Sequence, residues 1–324
     1  MLKLLKNIMT KEDYKIICID GGGTKTHGVL FSGDNIAAEL KFGTTRIGAI
    51  GFGEACERTL NMIVELCKMA NVSKITEIDI VVVGLAGVWL ENEKKRAMHL
   101  IKTLASTSKN TINDLIVTSD AEIAIEGALN GNHGIISIVG TGSIGLAKYD
   151  DNKPLARCGG WGIELDDEGS GAWVGREGIT AVVRSLDGRG KKTSLIEKLQ
   201  HQIPRFDINE PRTIVSSYND KLFEYQNITP LVMQCAMEED EVCMNIIKRA
   251  SDHLTELPLS LIKHFKTKKV DVALLGGIID NDTLLGNMLK DKLNKNSKFN
   301  LIQPLGNAIT GAKNIGIRII ENNQ

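Results

Sequence analysis

The chain lacks the patterns that mark several classes of protein. Its six cysteines stand apart, with neither a CxxC pair nor the His/Cys spacing of a zinc site. Isolated cysteines of this kind predict reduced, mostly buried thiols and a cytoplasmic protein. No run of about 18 apolar residues occurs, which argues against a membrane-spanning helix. The first ten residues, MLKLLKNIMT, lack the long apolar core of a signal peptide, so we interpret the first dozen residues as a frayed extension.

Charge of one sign is also missing. The net charge is −1, and lysines and acidic residues are interspersed along the chain. This balance provides no electrostatic footprint for nucleic acid or for an anionic membrane, so the expected ligand is a small molecule. A length of 324 residues with 42% apolar residues suits an enzyme of two domains, each with its own core.

The stretch YKIICIDGGGTKT contains the first functional signal. Residues 16–19 form a short, mostly β-branched run that predicts a buried strand, and Asp20 follows at its end. The next residues can bring backbone N–H groups and polar side chains against a polyphosphate, and they are Gly21, Gly22, Gly23, Thr24, Lys25 and Thr26. Neither GxxxxGK[ST] nor GxGxxG occurs, which excludes a P-loop and a dinucleotide fingerprint. A hairpin whose glycines serve the turn alone is the alternative.

A second copy of this pattern favours the phosphate interpretation. The segment IISIVGTGSIGLAKYDDN, from Ile135, aligns with IICIDGGGTKTHGVLFSGDN, from Ile16. LIVTSD, which ends at Asp120, and VALLGG, which ends at Gly277, form a further pair of strand-like runs. An internal repeat determines the architecture, so we predict two related α/β halves that each supply one phosphate-binding hairpin.

Hydrophobic periodicity predicts the remaining elements. In the first half we expect strands at 35–40, 78–83 and 115–119 and helices at 52–70 and 91–105. In the second half we expect a strand at 270–275 and helices at 168–186, 194–202, 210–225 and 238–265, the last broken near Pro258. A closing helix is expected over 307–320.

The string CGGWGIELDDEGSGAWVGREG, from Cys158 to Gly178, resembles the BadF/BadG/BcrA/BcrD ATPase family, and in particular its N-acetylglucosamine kinase branch. DGGGTKT, SDAEIAIEGAL, GTGS and LLGG occur with it in the family's order. The resemblance implies a place in the actin, hexokinase and heat-shock ATPase superfamily. The implied fold is α/β, a duplicated ribonuclease H-like fold with an interdomain cleft. We assign residues 1–120, with 307–324 packing back, to one domain and 121–306 to the other.

The resemblance also implies roles at a kinase site that uses ATP and Mg²⁺. Asp120 would be the general base and Asp20 the anchor of Mg²⁺, through water. The two hairpins would grip the phosphates from opposite sides and a later glycine pair would accommodate the nucleoside. The ATP-binding residues beyond the first hairpin would be Gly140, Thr141, Gly142, Gly276 and Gly277. An N-cap of the next helix is the alternative role of Asp120.

The acceptor site is also implied by resemblance. The residues expected to contact the sugar, besides Asp120, are Ser143, Ile144, Gly160, Trp161, Gly162 and Asp167. Core packing is the alternative role of Trp161, and a helix cap is that of Asp167. We expect Gly169 and Gly171 to let the backbone approach a ligand closely.

Two positions depart from the family's pattern. Asp166 replaces the glycine of GDEGS, and Arg46 stands where G-x-x-N carries an asparagine. An always-charged guanidinium would suit a carboxylate, so one hypothesis is that Arg46 binds the lactyl group of N-acetylmuramic acid. The alternative is that Arg46 points to solvent.

We therefore predict an amino-sugar kinase that forms a 6-phosphate and, by resemblance, a homodimer. A different-class alternative is the family's activators of 2-hydroxyacyl-CoA dehydratases. Those proteins hold an iron–sulfur cluster with cysteines at a subunit interface. Cys158 is adjacent to GGWG, where the kinase branch also has a cysteine, and no other cysteine is convincingly placed as a cluster ligand. A sugar-responsive regulator is a third alternative, although the chain has no DNA-binding extension.

Overall fold

The computed structural model describes residues 14–23 and 25–323 of the chain. The described residues up to Asn132, together with those from Pro304 onward, form one compact unit, and His133–Gln303 form the second. The expected N-terminal extension lies outside the described residues. None of the helices in the described residues has the length and apolar character needed to cross a membrane.

Five strands form the sheet of the first unit, in the order β3-β2-β1-β4-β5. Their bounds are β1 Lys15–Gly21, β2 Lys25–Ser32, β3 Asn35–Gly43, β4 Ile80–Leu85 and β5 Leu115–Thr118. β1, β2 and β3 are antiparallel, whereas β1, β4 and β5 are parallel. Parallel strands end at one edge of a sheet, and here Asp20 pairs with Gly84, which pairs with Thr118.

Five strands also form the sheet of the second unit, in the order β10-β9-β6-β7-β8. Their bounds are β6 Gly134–Val139, β7 Ser143–Lys148, β8 Ala156–Gly159, β9 Val270–Leu275 and β10 Phe299–Ile302. Read from its other edge, this order is β8-β7-β6-β9-β10. In both sheets the strands therefore lie in the same order along the unit: third, second, first, fourth and fifth. The repeated order confirms the predicted duplication of a ribonuclease H-like α/β fold.

Twelve α-helices of the described chain accompany these strands, and five of them, α5 to α9, follow one another between β8 and β9. Their bounds are α1 Ile47–Ile50, α2 Phe52–Met69, α3 Glu91–Thr107, α4 Asp120–Ala128, α5 Gly171–Leu186, α6 Leu195–Gln202, α7 Thr213–Asn219, α8 Thr229–Met237, α9 Glu241–Leu261, α10 Gly277–Asp280, α11 Leu284–Asn294 and α12 Ala308–Asn322.

Strand β1 is buried on both faces because helices cover both sides of its sheet. Ile17 and Ile19 belong to one hydrophobic core, which includes residues of α2 and α3. Ile16 and Cys18 belong to a second core, which includes residues of α4 and α12. The alternation of side chains along a strand explains how one apolar run serves two cores.

Helices α4 and α12 approach each other closely, which places α4 in the first unit. A Cβ atom at Gly127 would lie 1.9 Å from the carbonyl oxygen of Asn307, and one at Gly311 would lie 1.9 Å from that of Ile123. The chain therefore returns at its C-terminus to the helix that begins at Asp120.

Hydrophobic periodicity predicted the helices and strands of the first unit more accurately than those of the second. The predicted helices at 52–70 and 307–320 and the strands at 78–83 and 270–275 are confirmed within two residues. The helix predicted at 210–225 is wrong in extent, because α7 covers Thr213–Asn219 alone. The predicted break near Pro258 is also wrong, since this proline lies inside α9.

Candidate active site

Two carboxylates lie at the edge of the first sheet where the parallel strands end. Asp20 is in β1, and Asp120 begins α4, directly after β5 and Ser119. Between them, on β4, lies Gly84. A Cβ atom at this position would lie 3.2 Å from the Asp120 Cα and 2.3 Å from the Ile123 Cδ1. The missing side chain of Gly84 therefore lets the start of α4 approach the sheet.

Burial changes the acidity of both carboxyl groups. Burial, together with the smaller effect of the negative charge of Asp120, raises the pKa of Asp20 to about 6. Burial also raises the pKa of Asp120, although the Ala121 N–H, which donates to Asp120 Oδ1 at 2.9 Å, and the charge of Arg46 oppose this shift. Two neighbouring groups with raised pKa values are suited to accept a proton or to bind a cation.

The turn that carries Asp120 is fixed by its neighbours. Ser119 is the N-cap of α4, and its Oγ accepts a hydrogen bond from the Glu122 N–H at 3.1 Å. The Glu122 carboxylate accepts the Ser119 N–H at 2.8 Å and pairs with Lys94 of α3 at 2.7 Å. The alternative N-cap role of Asp120 is therefore wrong, because Ser119 takes that role and Asp120 is the first helical residue.

The first glycine hairpin is bound to the loop that follows β3. The Thr44 hydroxyl lies 3.0 Å from the carbonyl oxygens of both Gly22 and Gly23 and donates to them. Thr26 is fully buried, and its hydroxyl lies 2.9 Å from that of Thr45. The hydroxyl predicted at Thr26 for a phosphate contact is thus bonded inside the protein. Lys25 is exposed, and the predicted Thr24 lies outside the described residues.

Arg46 lies at the start of α1, in the same loop. Its backbone N–H donates to Thr44 Oγ1 at 3.0 Å, and its side chain is exposed. The positive charge of Arg46 lowers the pKa of Asp120. An exposed guanidinium therefore acts electrostatically on the partly buried Asp120 carboxylate of the same unit.

The second glycine hairpin, Gly140–Gly142, connects β6 and β7. The N–H groups of Gly171 and Ala172, at the start of α5, donate to the carbonyl oxygens of Gly140 at 2.8 Å and Thr141 at 3.0 Å. The first turn of α5 thus holds this hairpin from its carbonyl side. Gly171, which was expected to approach a ligand, contacts the hairpin instead.

The glycine pair after β9 lies beside this hairpin. Leu275 pairs with Ile138 of β6. Gly276 has a φ of +101°, and a Cβ atom there would lie 2.5 Å from the Val139 carbonyl oxygen. The second unit therefore brings the predicted nucleoside motif next to the predicted phosphate hairpin.

The GGWG segment lies against the start of β7. A Cβ atom at Gly160 would lie 2.9 Å from the Ile144 Cδ1. Ser143 is buried, and its Oγ donates to the Glu168 carbonyl oxygen at 3.1 Å. Trp161 is 66% exposed, so the alternative of core packing is wrong for this side chain. The structure gathers the predicted sugar residues of the second unit in one place.

Asp167 belongs to this group and is buried. Its Oδ1 accepts the Gly162 N–H at 3.2 Å. The alternative helix-cap role of Asp167 is wrong, because the cap of α5 is Ser170, whose Oγ accepts the Trp173 N–H at 3.2 Å. Gly169, the other glycine expected to approach a ligand, packs against α9, where a Cβ atom would lie 2.5 Å from the Ala250 carbonyl oxygen.

Comparison with known proteins identifies the family. A model of the BadF/BadG/BcrA/BcrD ATPase family matches residues 17–316. The chain belongs to this family. The match spans both sheets and both glycine hairpins, and so includes every residue assigned to the site above. The resemblance found in the sequence motifs is thereby confirmed.

Two relatives of this ATPase are sugar kinases. An N-acetylmuramic acid/N-acetylglucosamine kinase of Clostridium acetobutylicum is 29% identical over 302 residues, which cover 92% of this chain and 96% of that protein. An N-acetyl-D-glucosamine kinase of Dictyostelium discoideum is 27% identical over 306 residues, which cover 89% of this chain and 92% of that protein.

A solved structure supports the fold. The crystal structure of a candidate N-acetylglucosamine kinase from Chromobacterium violaceum superposes with a TM-score of 0.74 and 23% identity, covering 94% of this ATPase and 99% of that chain. Both halves of the duplicated α/β fold are therefore present in a protein of the same size.

Several functional features were missed from the sequence. Gly84 was visible as the glycine in VVVGLAG, but its spacing role depends on how α4 packs. Thr44 bonds to the first glycine hairpin, and Glu122 bonds to Lys94 of another helix. Both contacts join segments that are distant in the chain. Arg157, next to the GGWG segment, donates to the carbonyl oxygens of Gly159 and Gly160, contacts that the local string does not show.

Proposed function

We propose that the protein is an ATP-dependent amino-sugar kinase that phosphorylates a hydroxyl of N-acetylglucosamine or a related sugar. The observation that carries this proposal is the pair of largely buried carboxylates, Asp20 and Asp120, at the edge of the sheet beside a glycine hairpin, in a chain of this ATPase family. The sugar kinase relatives support the choice of acceptor.

Asp120 would serve as the general base. The acceptor hydroxyl, which we expect to be the 6-OH, gives its proton to the Asp120 carboxylate as its oxygen forms a bond to the γ-phosphorus. The bond between that phosphorus and the β,γ-bridging oxygen breaks, and ADP leaves with the electron pair. Because its pKa is raised, Asp120 holds this proton better than an ordinary carboxyl group would.

Asp20 would hold Mg²⁺ through water. Its hard carboxylate oxygens and raised pKa fit a divalent cation, which would displace the proton that burial favours. When bound, Mg²⁺ neutralises charge on the phosphates. No group of three or more His, Cys, Asp or Glu side chains in the described chain is arranged to hold a metal directly, and anchoring through few carboxylates and water is typical of Mg²⁺.

Each unit would contribute to substrate binding through the residues predicted for it. In the first unit, the backbone of Gly21–Gly23 would donate to phosphate oxygens. In the second unit, the N–H groups of Thr141 and Gly142 would do the same, because the Gly140 N–H donates to the Gly142 carbonyl oxygen at 2.9 Å. Gly276 with Gly277 would accommodate the nucleoside. The sugar would contact the group around Trp161, whose flat exposed ring suits the apolar face of a pyranose or an acetyl group.

N-acetylmuramic acid is the second candidate acceptor. The exposed Arg46, whose charge acts on Asp120, could pair with a carboxylate on the sugar. A relative that phosphorylates both sugars supports this alternative. An Arg46→Ala variant should lose about tenfold or more in kcat/KM for N-acetylmuramic acid relative to N-acetylglucosamine, as expected for a lost charge-assisted bond. An unchanged ratio would leave Arg46 without this role.

The deciding experiment measures ADP release from Mg·ATP with N-acetylglucosamine, N-acetylmuramic acid, glucosamine and glucose in parallel. We expect sugar-dependent turnover that Asp120→Asn removes and that Asp34→Asn, a matched change at an exposed position, leaves intact. Hydrolysis of ATP that no sugar stimulates would contradict the kinase proposal and favour the activator or regulator alternatives.

The dehydratase-activator alternative requires accessible cysteine ligands. Five of the cysteines are buried and Cys158 is partly buried. Burial also raises the pKa of Cys56 and of Cys67 to about 11, which disfavours the thiolate. A cytoplasmic location and a homodimer belong to the proposal by family resemblance, and sedimentation of the purified protein would measure the oligomeric state.

A further inference from the structure

Charged side chains bind the GGWG segment of the second unit from both sides. The Arg157 Nε donates to the Gly159 carbonyl oxygen at 3.1 Å, and its Nη2 donates to that of Gly160. Asp166 Oδ2 accepts the Trp161 N–H at 3.3 Å. One guanidinium therefore bonds the carbonyl groups of the segment, while a carboxylate bonds the N–H group of its tryptophan.

The segment needs such bonds because its backbone is unusual. Gly159, Gly160 and Gly162 have φ values of +72°, +76° and +91°. Glycine loses more conformational freedom on ordering than any other residue, so a stretch this rich in glycine is costly to hold in one conformation. Bonds from ionised side chains are stronger than neutral ones and offset that cost.

Arg157 also contacts the ring that the segment presents. Its Cζ lies 4.7 Å from the centroid of the Trp161 ring. The ring is 66% exposed, so few packing contacts restrict its rotamers. A guanidinium over an indole is a favourable cation–π arrangement, and it restrains the plane of the ring.

The surroundings keep the guanidinium in place. Burial lowers the pKa of Arg157, and the charges of Asp166 and Asp167 oppose that shift. Arg157 therefore bonds the loop carbonyls while the charges of two nearby carboxylates stabilise its guanidinium.

We propose that Arg157 and Asp166 are positioning residues for sugar binding, which hold Trp161 as a preformed platform for the apolar face of the acceptor. This inference rests on the proposed kinase function and deepens it. Neither residue is assigned a contact with the reacting atoms. A preformed ring lowers the ordering cost of binding, so the pair should affect sugar affinity and leave the chemical step alone.

The test compares Arg157→Gln, Arg157→Lys and Asp166→Asn with the wild-type protein. The matched control is Arg249→Gln, because Arg249 has its Cζ 5.0 Å from the ring of Trp173 in the same unit and pairs with Glu177 at 2.8 Å. The readouts are KM for sugar, KM for ATP and kcat. Sugar binding without ATP is followed by tryptophan fluorescence, with acrylamide quenching as a measure of ring exposure.

We expect Arg157→Gln to raise the sugar KM about tenfold, as the loss of a cation–π contact and two charge-assisted bonds suggests, with kcat and the ATP KM nearly unchanged. Arg157→Lys should rescue part of the effect, because it restores the charge without the planar fork. Asp166→Asn should raise the sugar KM less, and acrylamide should quench Trp161 more strongly in each variant. Arg249→Gln should match the wild type.

The inference would be overturned if the wild-type protein binds sugar and Arg157→Gln has the same sugar KM and the same acrylamide quenching as the wild type. That result would leave the kinase proposal standing. Equal losses in kcat and in both KM values would also overturn it, because they indicate general damage. If Arg157→Gln fails to fold, Asp166→Asn decides, since it keeps an oxygen acceptor for the Trp161 N–H. A wild type without sugar binding or turnover would contradict the kinase proposal itself.

Discussion

Replacing Asp20 by asparagine should stabilise the protein at neutral pH while it abolishes activity. The carboxylate is charged near neutrality but lies in a largely buried position next to the charge of Asp120. Asparagine has nearly the same shape and carries no charge. The variant therefore removes the desolvation cost of the carboxylate, which should raise stability, and also removes the proposed anchor for Mg²⁺, which should abolish activity. Opposite changes in stability and activity distinguish the two effects.

The magnitude follows from the acidity of the group. The pKa of Asp20 rises from 3.8 to about 6 on folding. A shift of roughly two units corresponds to roughly 3 kcal/mol of unfolding free energy. Because the folded-state value is the higher one, the cost is absent below pH 3.8 and is fully present above about pH 6. Asp20→Asn should therefore match the wild type at low pH and exceed it increasingly as the pH rises.

Urea unfolding followed by circular dichroism at several pH values between about 4 and 8 would measure this difference. The control is Asp34→Asn in the same unit. Asp34 is exposed and pairs with Lys313 at 2.8 Å, which lowers the pKa of Asp34, so its replacement should have a small effect of opposite sign. A gain in stability that does not depend on pH, or a loss at pH 7.5, would refute the reasoning for Asp20.

Three further predictions concern the same edge of the sheet. Gly84→Ala should destabilise the protein by about 1–3 kcal/mol in urea unfolding and lower kcat, because its Cβ would collide with Ile123 and displace Asp120. Glu122→Gln should lower kcat, because it removes the charge that pairs with Lys94. In that variant the acidic limb of the pH–rate profile should also move to lower pH, since the Glu122 charge raises the pKa of Asp120. In the wild type, kcat/KM should fall as the pH drops below about 6, where Asp20 takes up a proton.

The fold was predictable where a local pattern repeats. In both halves, a buried apolar strand runs into a glycine turn and a second strand, and this repeat was enough to predict the duplicated fold. Strands β8 and β10 were not predicted, because each has four residues and neither has a long apolar run. Helix α8 was also missed, because its N-cap, Ile228, offers no polar side chain, although Pro230 in its first turn is compatible with a helix start.

The part of the site that could be predicted from the sequence is the pair of carboxylates at the ends of strands. Asp20 and Asp120 each follow an apolar run, and parallel strands bring such ends to one edge. The contacts that hold the site were not predictable in this way. Thr44 bonds to glycines about 20 residues earlier in the chain, and Lys94 bonds to Glu122 in another helix. Such pairs depend on the tertiary packing of the loops and helices, which periodicity does not report.

The glycines of the site serve two different purposes, and the surrounding atoms distinguish them. At Gly21 and Gly276 a Cβ atom would lie 2.5 Å from another protein atom, so these glycines allow parts of the protein to meet. At Gly23 and Gly140 a Cβ atom would have no heavy atom within 4 Å in the described structure. Packing does not require glycine at these two positions. The Gly140 N–H donates to the Gly142 carbonyl oxygen at 2.9 Å, so this backbone is bonded within its own turn. At Gly23 the approach of a ligand is the physical reason for an uncovered backbone. The tip of the first hairpin is therefore the part of the glycine motifs best suited to contact phosphate.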